Sequence, residues 1–150
     1  MKEDLQKIQP LGRILSHTGK SFLQLLNQKL SYLDIERNYY SLILIELGEG
    51  SLTQTGLASQ LGTDKVSVLR IVDYLTAKGY IKRVKSPEDR RRYCLTLTSK
   101  AIQKLPGIKN ALQEVTSAAL NGLTEQQQEV FYSMLGIIRN NLSKANTSGI

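Results

Sequence analysis

The sequence predicts a mainly α-helical protein with a single small β-hairpin. Apolar residues recur at three- and four-residue intervals over most of the 150 residues, which is the spacing of amphipathic helices. Two short helices are predicted in the middle of the chain, separated by about two residues next to Gly62, which is a helix-turn-helix pattern. The spacing becomes alternating only after Gly79, where two short runs flank a polar turn and predict the hairpin.

The first two predicted helices span residues 8–30 and 36–47. Apolar residues of the first keep helical spacing: Ile8, Leu11, Leu15, Phe22, Leu25 and Leu26. The second is mostly apolar and stops at Gly48-Glu49-Gly50. This Gly-x-Gly follows no strand and lacks a third glycine, so it predicts a turn and not a dinucleotide site.

The two helices of the helix-turn-helix have residues that favour helix ends. Thr53 suits the N-cap of the first, and Gly62 suits its C-terminal end. The second begins near Thr63 or Asp64 and ends at Gly79. Its core stripe is predicted from apolar residues at positions i, i+3, i+4 and i+7: Val68, Ile71, Val72 and Leu75.

The hairpin and two long helices complete the chain. The second strand has alternating apolar residues: Tyr93, Leu95 and Leu97. Thr98 is expected to cap the next helix, and Thr124 with Gln127 has the capping-box spacing for the last one.

Composition excludes several kinds of protein. No apolar run reaches the roughly eighteen residues of a membrane-spanning helix, and MKEDLQKIQP lacks the apolar core of a secretion signal. We therefore expect a cytoplasmic protein with no membrane partner. One Cys and one His can form neither an intrachain disulfide nor a Cys/His zinc site. Cys94 is expected to be an inert, half-buried thiol.

The patterns of an enzyme are also missing from the sequence. It has no P-loop and no metal cluster. No Ser or Cys nucleophile has a spare His, because the only His lies in the first predicted helix and would have to act alone. We expect no catalytic residues, no metal and no cofactor.

Positive charge is concentrated on the predicted helix-turn-helix and hairpin. The chain has a net charge of +7, and residues 64–92 carry nine Lys and Arg against four acids.

The helix that starts near Asp64 presents several residues opposite its core stripe: Lys65, Val66, Leu69, Arg70 and Asp73, with Ser67 near its start. Val66 and Leu69 either widen the stripe that packs on a neighbour or face base edges in a DNA major groove. The bracketing cations favour DNA, where Lys65 and Arg70 would bind phosphates or guanine.

Residues 52–98 resemble the MarR family of winged helix-turn-helix transcription regulators. The patterns are Leu-Ala-x-x-Leu-Gly at 57–62, Asp-Lys-x-x-Val-x-Arg at 64–70, and Asp-x-Arg at 89–91 followed by Leu97-Thr98. The closing LTEQQQEVFYSML is similar to the family's last helix. Val66 and Leu69 stand where the family often has Ser and Thr, so we expect an operator richer in A·T pairs. Cys94 lies in the wing, unlike the N-terminal Cys of the family's peroxide sensors.

The resemblance implies a single MarR-like domain over residues 1–150. Helices at about 8–30 and 98–144 would form a homodimer, and a winged helix-turn-helix at about 36–97 would bind double-stranded DNA. Twofold symmetry then predicts a pseudo-palindromic operator with half-sites about one helical turn apart. The implied function is transcriptional regulation, with repression favoured over activation.

The resemblance also assigns roles in the wing. Arg91 would enter the minor groove with Asp89 orienting its guanidinium, and Arg90 and Arg92 would lie nearer the phosphates. The alternative is three arginines that only keep the surface soluble. Thr53 begins a helix whose free N–H groups can bind a phosphate, and it is equally well explained as a plain N-cap.

A small aromatic effector is a further partner that the resemblance implies, bound between the dimer helices and the winged part. The candidate residues are His17, Tyr32, Tyr39 and Tyr40. For the tyrosines, packing in the core or the interface is the favoured alternative, and His17 is more simply explained as an ordinary, partly buried helix residue.

The competing function is a winged-helix protein-interaction module without sequence-specific DNA binding. In that case Val66 and Leu69 would anchor a protein interface. Sequence-selective binding to duplex DNA that weakens steeply with salt would separate the two functions.

Overall fold

The computed structural model describes residues 10–147, and its fold is mainly helical with one hairpin, as predicted. The helices are α1 Leu11–Lys29, α2 Tyr39–Leu47, α3 Gln54–Leu61, α4 Lys65–Ala77, α5 Ser99–Ala119 and α6 Glu125–Thr147. Strands β1 Ile81–Lys85 and β2 Tyr93–Leu97 lie between α4 and α5. The predicted start of the first helix at Ile8 lies outside the described residues.

The chain divides into two compact units, Met1–Val115 and Thr116–Ile150. Within the described part of the first unit, side chains from α2, α3, α4, both strands and α5 share one core. Its fully buried members include Leu42, Ile45, Leu57, Val72, Leu75, Tyr80, Ile81, Leu95 and Ile108. The helix-turn-helix and the hairpin are therefore held by the same apolar core.

The predicted ends of the helix-turn-helix are confirmed. Thr53 Oγ1 accepts a hydrogen bond from the Gly56 amide at 3.1 Å, which caps α3. Gly62 and Gly79 follow α3 and α4 with φ of 63° and 76°. This left-handed conformation is open to glycine and unfavourable for most other residues.

The hairpin is antiparallel, with Ile81 opposite Leu97 and Lys85 opposite Tyr93. Cys94 is buried, with 5% of its surface exposed, and its thiol lies 3.6 Å from the Ser51 carbonyl oxygen. The expectation of a half-buried thiol was therefore wrong. The reason is that β2 also pairs with the segment before α3, through an isolated bridge to Thr53.

Apolar spacing in α1 does not produce a buried stripe within this chain. Leu26 is buried and Phe22 is partly buried, whereas Leu11, Leu15 and Leu25 are exposed. Helical periodicity determines which side chains share a face, and it does not say what covers that face.

The described part of the second unit contains the end of α5 and the whole of α6. The predicted capping box is confirmed, because the Thr124 amide donates to Gln127 Oε1 at 2.8 Å and the Gln127 amide donates to Thr124 Oγ1 at 3.2 Å. No residue of α6 is buried. None of the helices in residues 10–147 is long and apolar enough to cross a membrane.

Candidate nucleic-acid interface

The outer face of α4 carries two exposed aliphatic side chains. Val66 is 60% exposed and Leu69 is 44% exposed. The opposite face packs into the core through Val68, Val72 and Leu75, which are all buried. The predicted core stripe is confirmed except at Ile71, which is only partly buried.

Two acids belong to α4, Asp73 within the helix and Asp64 at its N-cap, and both are engaged within the protein. Asp64 caps the helix by accepting hydrogen bonds from the Ser67 amide at 2.7 Å and from the Ser67 hydroxyl at 3.1 Å. These bonds, led by that of the amide, lower the pKa of the Asp64 carboxyl. Asp73 forms a salt bridge with Arg83 at 2.6 Å.

The cations around this face are available to a partner. Across residues 10–147, no salt bridge involves the exposed cations of α4 and the wing turn: Lys65, Arg70, Arg90, Arg91 and Arg92. With the acids engaged and these cations unpaired, the surface is suited to a polyanion.

The wing turn between β1 and β2 is organised by Asp89. Its carboxylate accepts a hydrogen bond from the Arg91 backbone amide at 3.0 Å, and its carbonyl accepts one from the Arg92 amide at 2.9 Å. Within the described chain, Asp89 forms no salt bridge with the Arg91 guanidinium, and its expected role in orienting that group on DNA stays a prediction. The short Asp side chain instead bonds to the backbone two residues further on.

A groove joins the start of α3 to the wing. It has a volume of about 370 Å³ and is lined by Thr53, Gln54, Thr55, Arg92 and Tyr93. The structure therefore brings the predicted phosphate-binding Thr53 together with one of the wing arginines.

Arg83 on β1 connects the hairpin to both helices of the helix-turn-helix. Its Nη2 donates to Asp73 Oδ1 on α4 at 2.6 Å and to Gln54 Oε1 on α3 at 3.3 Å. Sequence reasoning missed this role. The available signal was Asp73, an acid on a face that otherwise presents cations.

Asp34 is a second connecting residue that sequence reasoning missed. Its carboxylate accepts hydrogen bonds from the Tyr80 hydroxyl at 2.6 Å and from Lys100 at 3.3 Å, and its carbonyl accepts one from Tyr74 at 3.1 Å. The Tyr80 bond is the largest cause that lowers the pKa of Asp34. Burial of the Tyr80 hydroxyl and its hydrogen bond to Asp34 raise the pKa of Tyr80. The loop before α2 is thereby tied to the end of α4, the base of the hairpin and the start of α5.

Comparison with known proteins assigns this architecture. A model described as MarR family matches residues 33–92, which contain α2, α3, α4, β1 and the turn that follows β1. A mutant of MarR from E. coli, solved in complex with operator DNA, has 25% identity and a TM-score of 0.77, covering 88% of this chain and 95% of that chain. The chain is similar to the MarR family over residues 33–92 and in its fold.

Two MarR-like sequences give the extent of the similarity. MarR of Salmonella typhimurium is 33% identical over 92 residues, which are 61% of this chain. A Thauera aromatica protein named as a transcriptional regulator for the hcr operon is 37% identical over 73 residues, which are 49% of this chain. The chain covers 64% and 44% of these two relatives. The members of the MarR family, which this chain resembles, are transcription regulators and not enzymes.

The candidate effector residues lie in different environments. Tyr39 is buried, and it borders an open groove of about 500 Å³ together with Asn27, Glu36 and Arg37. Tyr32, Tyr40 and His17 are exposed, so the expectation of a partly buried His17 is wrong within this chain. Helix α1 leaves His17 uncovered because its apolar side packs on the core only near Leu26.

Proposed function

We propose that this protein is a dimeric, sequence-specific DNA-binding transcriptional regulator that acts as a repressor. The observation that carries the proposal is the outer face of α4, where exposed aliphatic side chains stand among unpaired cations while both acids are engaged. The similarity to a MarR protein bound to operator DNA supports the same conclusion. Action on genomic DNA would place the protein in the cytoplasm.

In the proposed complex, α4 lies in the major groove and the wing reaches the adjacent minor groove. Lys65 and Arg70 contact phosphates or guanine edges. Ser67 lies near the start of α4, at the same end of the helix as Lys65. Arg91 enters the minor groove, because a narrow A·T-rich groove attracts arginine. Asp89 holds the backbone of the turn that presents Arg91. The remaining candidate residues bind the phosphate backbone: Thr53, Arg90 and Arg92.

The proposed dimer forms through the terminal helices of one MarR-like domain spanning residues 1–150, at about 8–30 and 98–144. Exposed apolar side chains on α1 and α6 support this proposal: Leu11, Ile14, Leu23, Val130, Phe131, Met134 and Ile137. Such a concentration of apolar surface is typical of a protein interface. Twofold symmetry would place two copies of α4 one helical turn apart on a pseudo-palindromic operator.

A small aromatic effector would release the operator in this proposal. Its candidate contacts are the residues around the α1–α2 connection and on α1: His17, Tyr32, Tyr39 and Tyr40. The open groove beside Tyr39 supports a site at that connection. Titration with aromatic acids, followed by operator affinity, tests this part of the proposal separately.

The alternative is a protein-interaction module in which Val66 and Leu69 anchor a partner protein. Their exposure fits that function as well. The unpaired cations beside them favour DNA, because a protein interface that buried those cations would need matching acids on the partner.

The deciding experiment is selection of bound fragments from the source genome, followed by footprinting of the strongest site at several salt concentrations. We expect a protected pseudo-palindrome near a promoter and an affinity that falls steeply with salt. Binding without sequence preference, or no binding to duplex DNA, would contradict the proposal and favour the protein-interaction module.

A further inference from the structure

We infer that Val66 and Leu69 read the 5-methyl groups of thymines, so that each operator half-site carries thymine opposite these two side chains. The inference rests on the proposed function, since it requires α4 to lie in the major groove. It adds the chemical identity of the bases that the helix recognises.

The geometry of α4 presents the two side chains as a pair. Residues at positions i and i+3 of a helix are neighbours, with Cβ atoms about 5–6 Å apart. Val66 and Leu69 have this spacing and are both exposed on the side away from the core. Base pairs follow one another at about 3.4 Å, so the pair spans one to two base-pair steps.

In the major groove, the thymine methyl group is the one base substituent that suits a pair of aliphatic side chains. Most groups on the base edges there are hydrogen-bond donors or acceptors, and the thymine methyl is the apolar exception. An aliphatic side chain placed against guanine or cytosine would remove polar groups from water without giving them a partner. Val66 and Leu69 therefore gain from thymine and discriminate against G·C pairs at the same positions.

Ser67, the polar residue between Val66 and Leu69, contributes no hydrogen-bond donor for reading a base. The Ser67 hydroxyl donates to Asp64 at 3.1 Å, so it has only acceptor capacity left for a base. Between Lys65 and Arg70, base readout therefore depends more on the aliphatic pair than on the Ser67 hydroxyl.

The charge around the pair identifies the partner as nucleic acid. Lys65 and Arg70 bracket the two side chains and form no salt bridge within the described chain. The nearby acid Asp73 is neutralised by Arg83 at 2.6 Å. This combination is complementary to a groove that has phosphates on both sides and apolar methyl groups on its floor.

The test replaces the thymines of the selected operator one at a time with deoxyuridine, which lacks only the 5-methyl group. We expect the affinity of the unmodified protein to fall about fourfold at one or two thymines of each half-site, which corresponds to the loss of one buried CH₂ group. Val66→Ala should abolish the sensitivity at one position and Leu69→Ala at the other. Leu47→Ala removes an exposed leucine at the end of α2 and is the matched control, which should keep both sensitivities.

The outcomes separate this inference from the proposed function. Selective operator binding that no deoxyuridine substitution weakens would overturn the thymine readout alone. The thymine readout would also be overturned if the alanine variants kept the full sensitivity of the unmodified protein. Absence of sequence-selective DNA binding would overturn both proposals.

Discussion

Three consecutive arginines in the wing turn are unfavourable in the free protein unless a partner supplies negative charge. Arg90, Arg91 and Arg92 are exposed and form no salt bridge within residues 10–147. The nearby carboxylate of Asp89 is used to hold the backbone of the turn. Phosphates would relieve the repulsion among the arginines.

Replacing Arg91 with alanine is expected to weaken operator binding and to flatten its salt dependence. One fewer cation near the phosphates should reduce the slope of log affinity against log salt by about 1. Fluorescence anisotropy with labelled operator at four salt concentrations measures both quantities. Lys104→Ala, which removes an exposed cation on α5, is the control. Equal affinities and slopes for the two variants would refute the role of Arg91.

The helix-turn-helix and the hairpin are oriented by side-chain bridges in addition to their shared core. Arg83 joins β1 to α3 and α4, and Asp34 joins the loop before α2 to the base of the hairpin. Between α3 and α4, Gly62 supplies the left-handed residue that the turn requires. The spacing between α4 and the wing therefore depends on a few identifiable contacts.

Substitution of Gly62 by alanine is expected to destabilise the protein by about 1–2 kcal/mol, through the left-handed backbone alone. A Cβ atom at this position would meet nothing within 4 Å, so no steric clash contributes. Urea unfolding measures the change. Gly62→Asn should be less destabilising, because asparagine tolerates this conformation better. Equal losses for the two variants would show that backbone conformation is not the cause.

Acid should weaken the Asp34 bridge. The pKa of Asp34 is lowered in the folded state, so its contribution to stability is present above the unfolded pKa, near 3.8, and is lost as pH falls through the folded value. We expect the urea midpoint of the unmodified protein to fall below about pH 5, and that of Asp34→Asn to fall less. Tyr80→Phe removes the principal donor and should also make the pH dependence shallower. Superimposable profiles for all three proteins would contradict this account.

Helices α1 and α6 each expose several large apolar side chains. In α6 no residue is buried, although five apolar residues recur along it at helical spacing: Val130, Phe131, Met134, Ile137 and Leu142. Dimerisation through these helices would cover that surface, and it would also set the distance between the two DNA-reading units.

A charge placed on the apolar face of α6 is expected to dissociate the proposed dimer. Ile137 is 60% exposed, so Ile137→Glu should leave the helix folded while it prevents burial against a second copy. Analytical ultracentrifugation should then show a 16.8 kDa species, with reduced operator affinity. Ser143→Glu, which adds the same charge on another side of α6, should remain dimeric. If Ile137→Glu also sediments as a dimer, α6 does not form the interface.

Local patterns were enough to predict the six helices of the described chain, the caps of α3 and α6, and the hairpin. Thr53, Gly62, Gly79 and the Thr124 capping box act through bonds or backbone angles within a few residues, so their effects are visible in the sequence. The basic segment and the outward aliphatic pair followed from composition and helical spacing. The exposed positions of the candidate DNA-contact residues were thus predictable, while their contacts with DNA remain predictions.

The sequence alone determined the order of elements, the family resemblance and the outward face of α4, because periodicity, capping and charge are properties of neighbouring residues. Folding determined the bridges of Asp34 to Tyr80 and of Arg83 to Gln54, which join residues 46 and 29 positions apart. It also directed Asp89 to the backbone of the wing turn and left most of α1 uncovered. These features depend on which surfaces meet in three dimensions, and no local pattern encodes such contacts between distant residues.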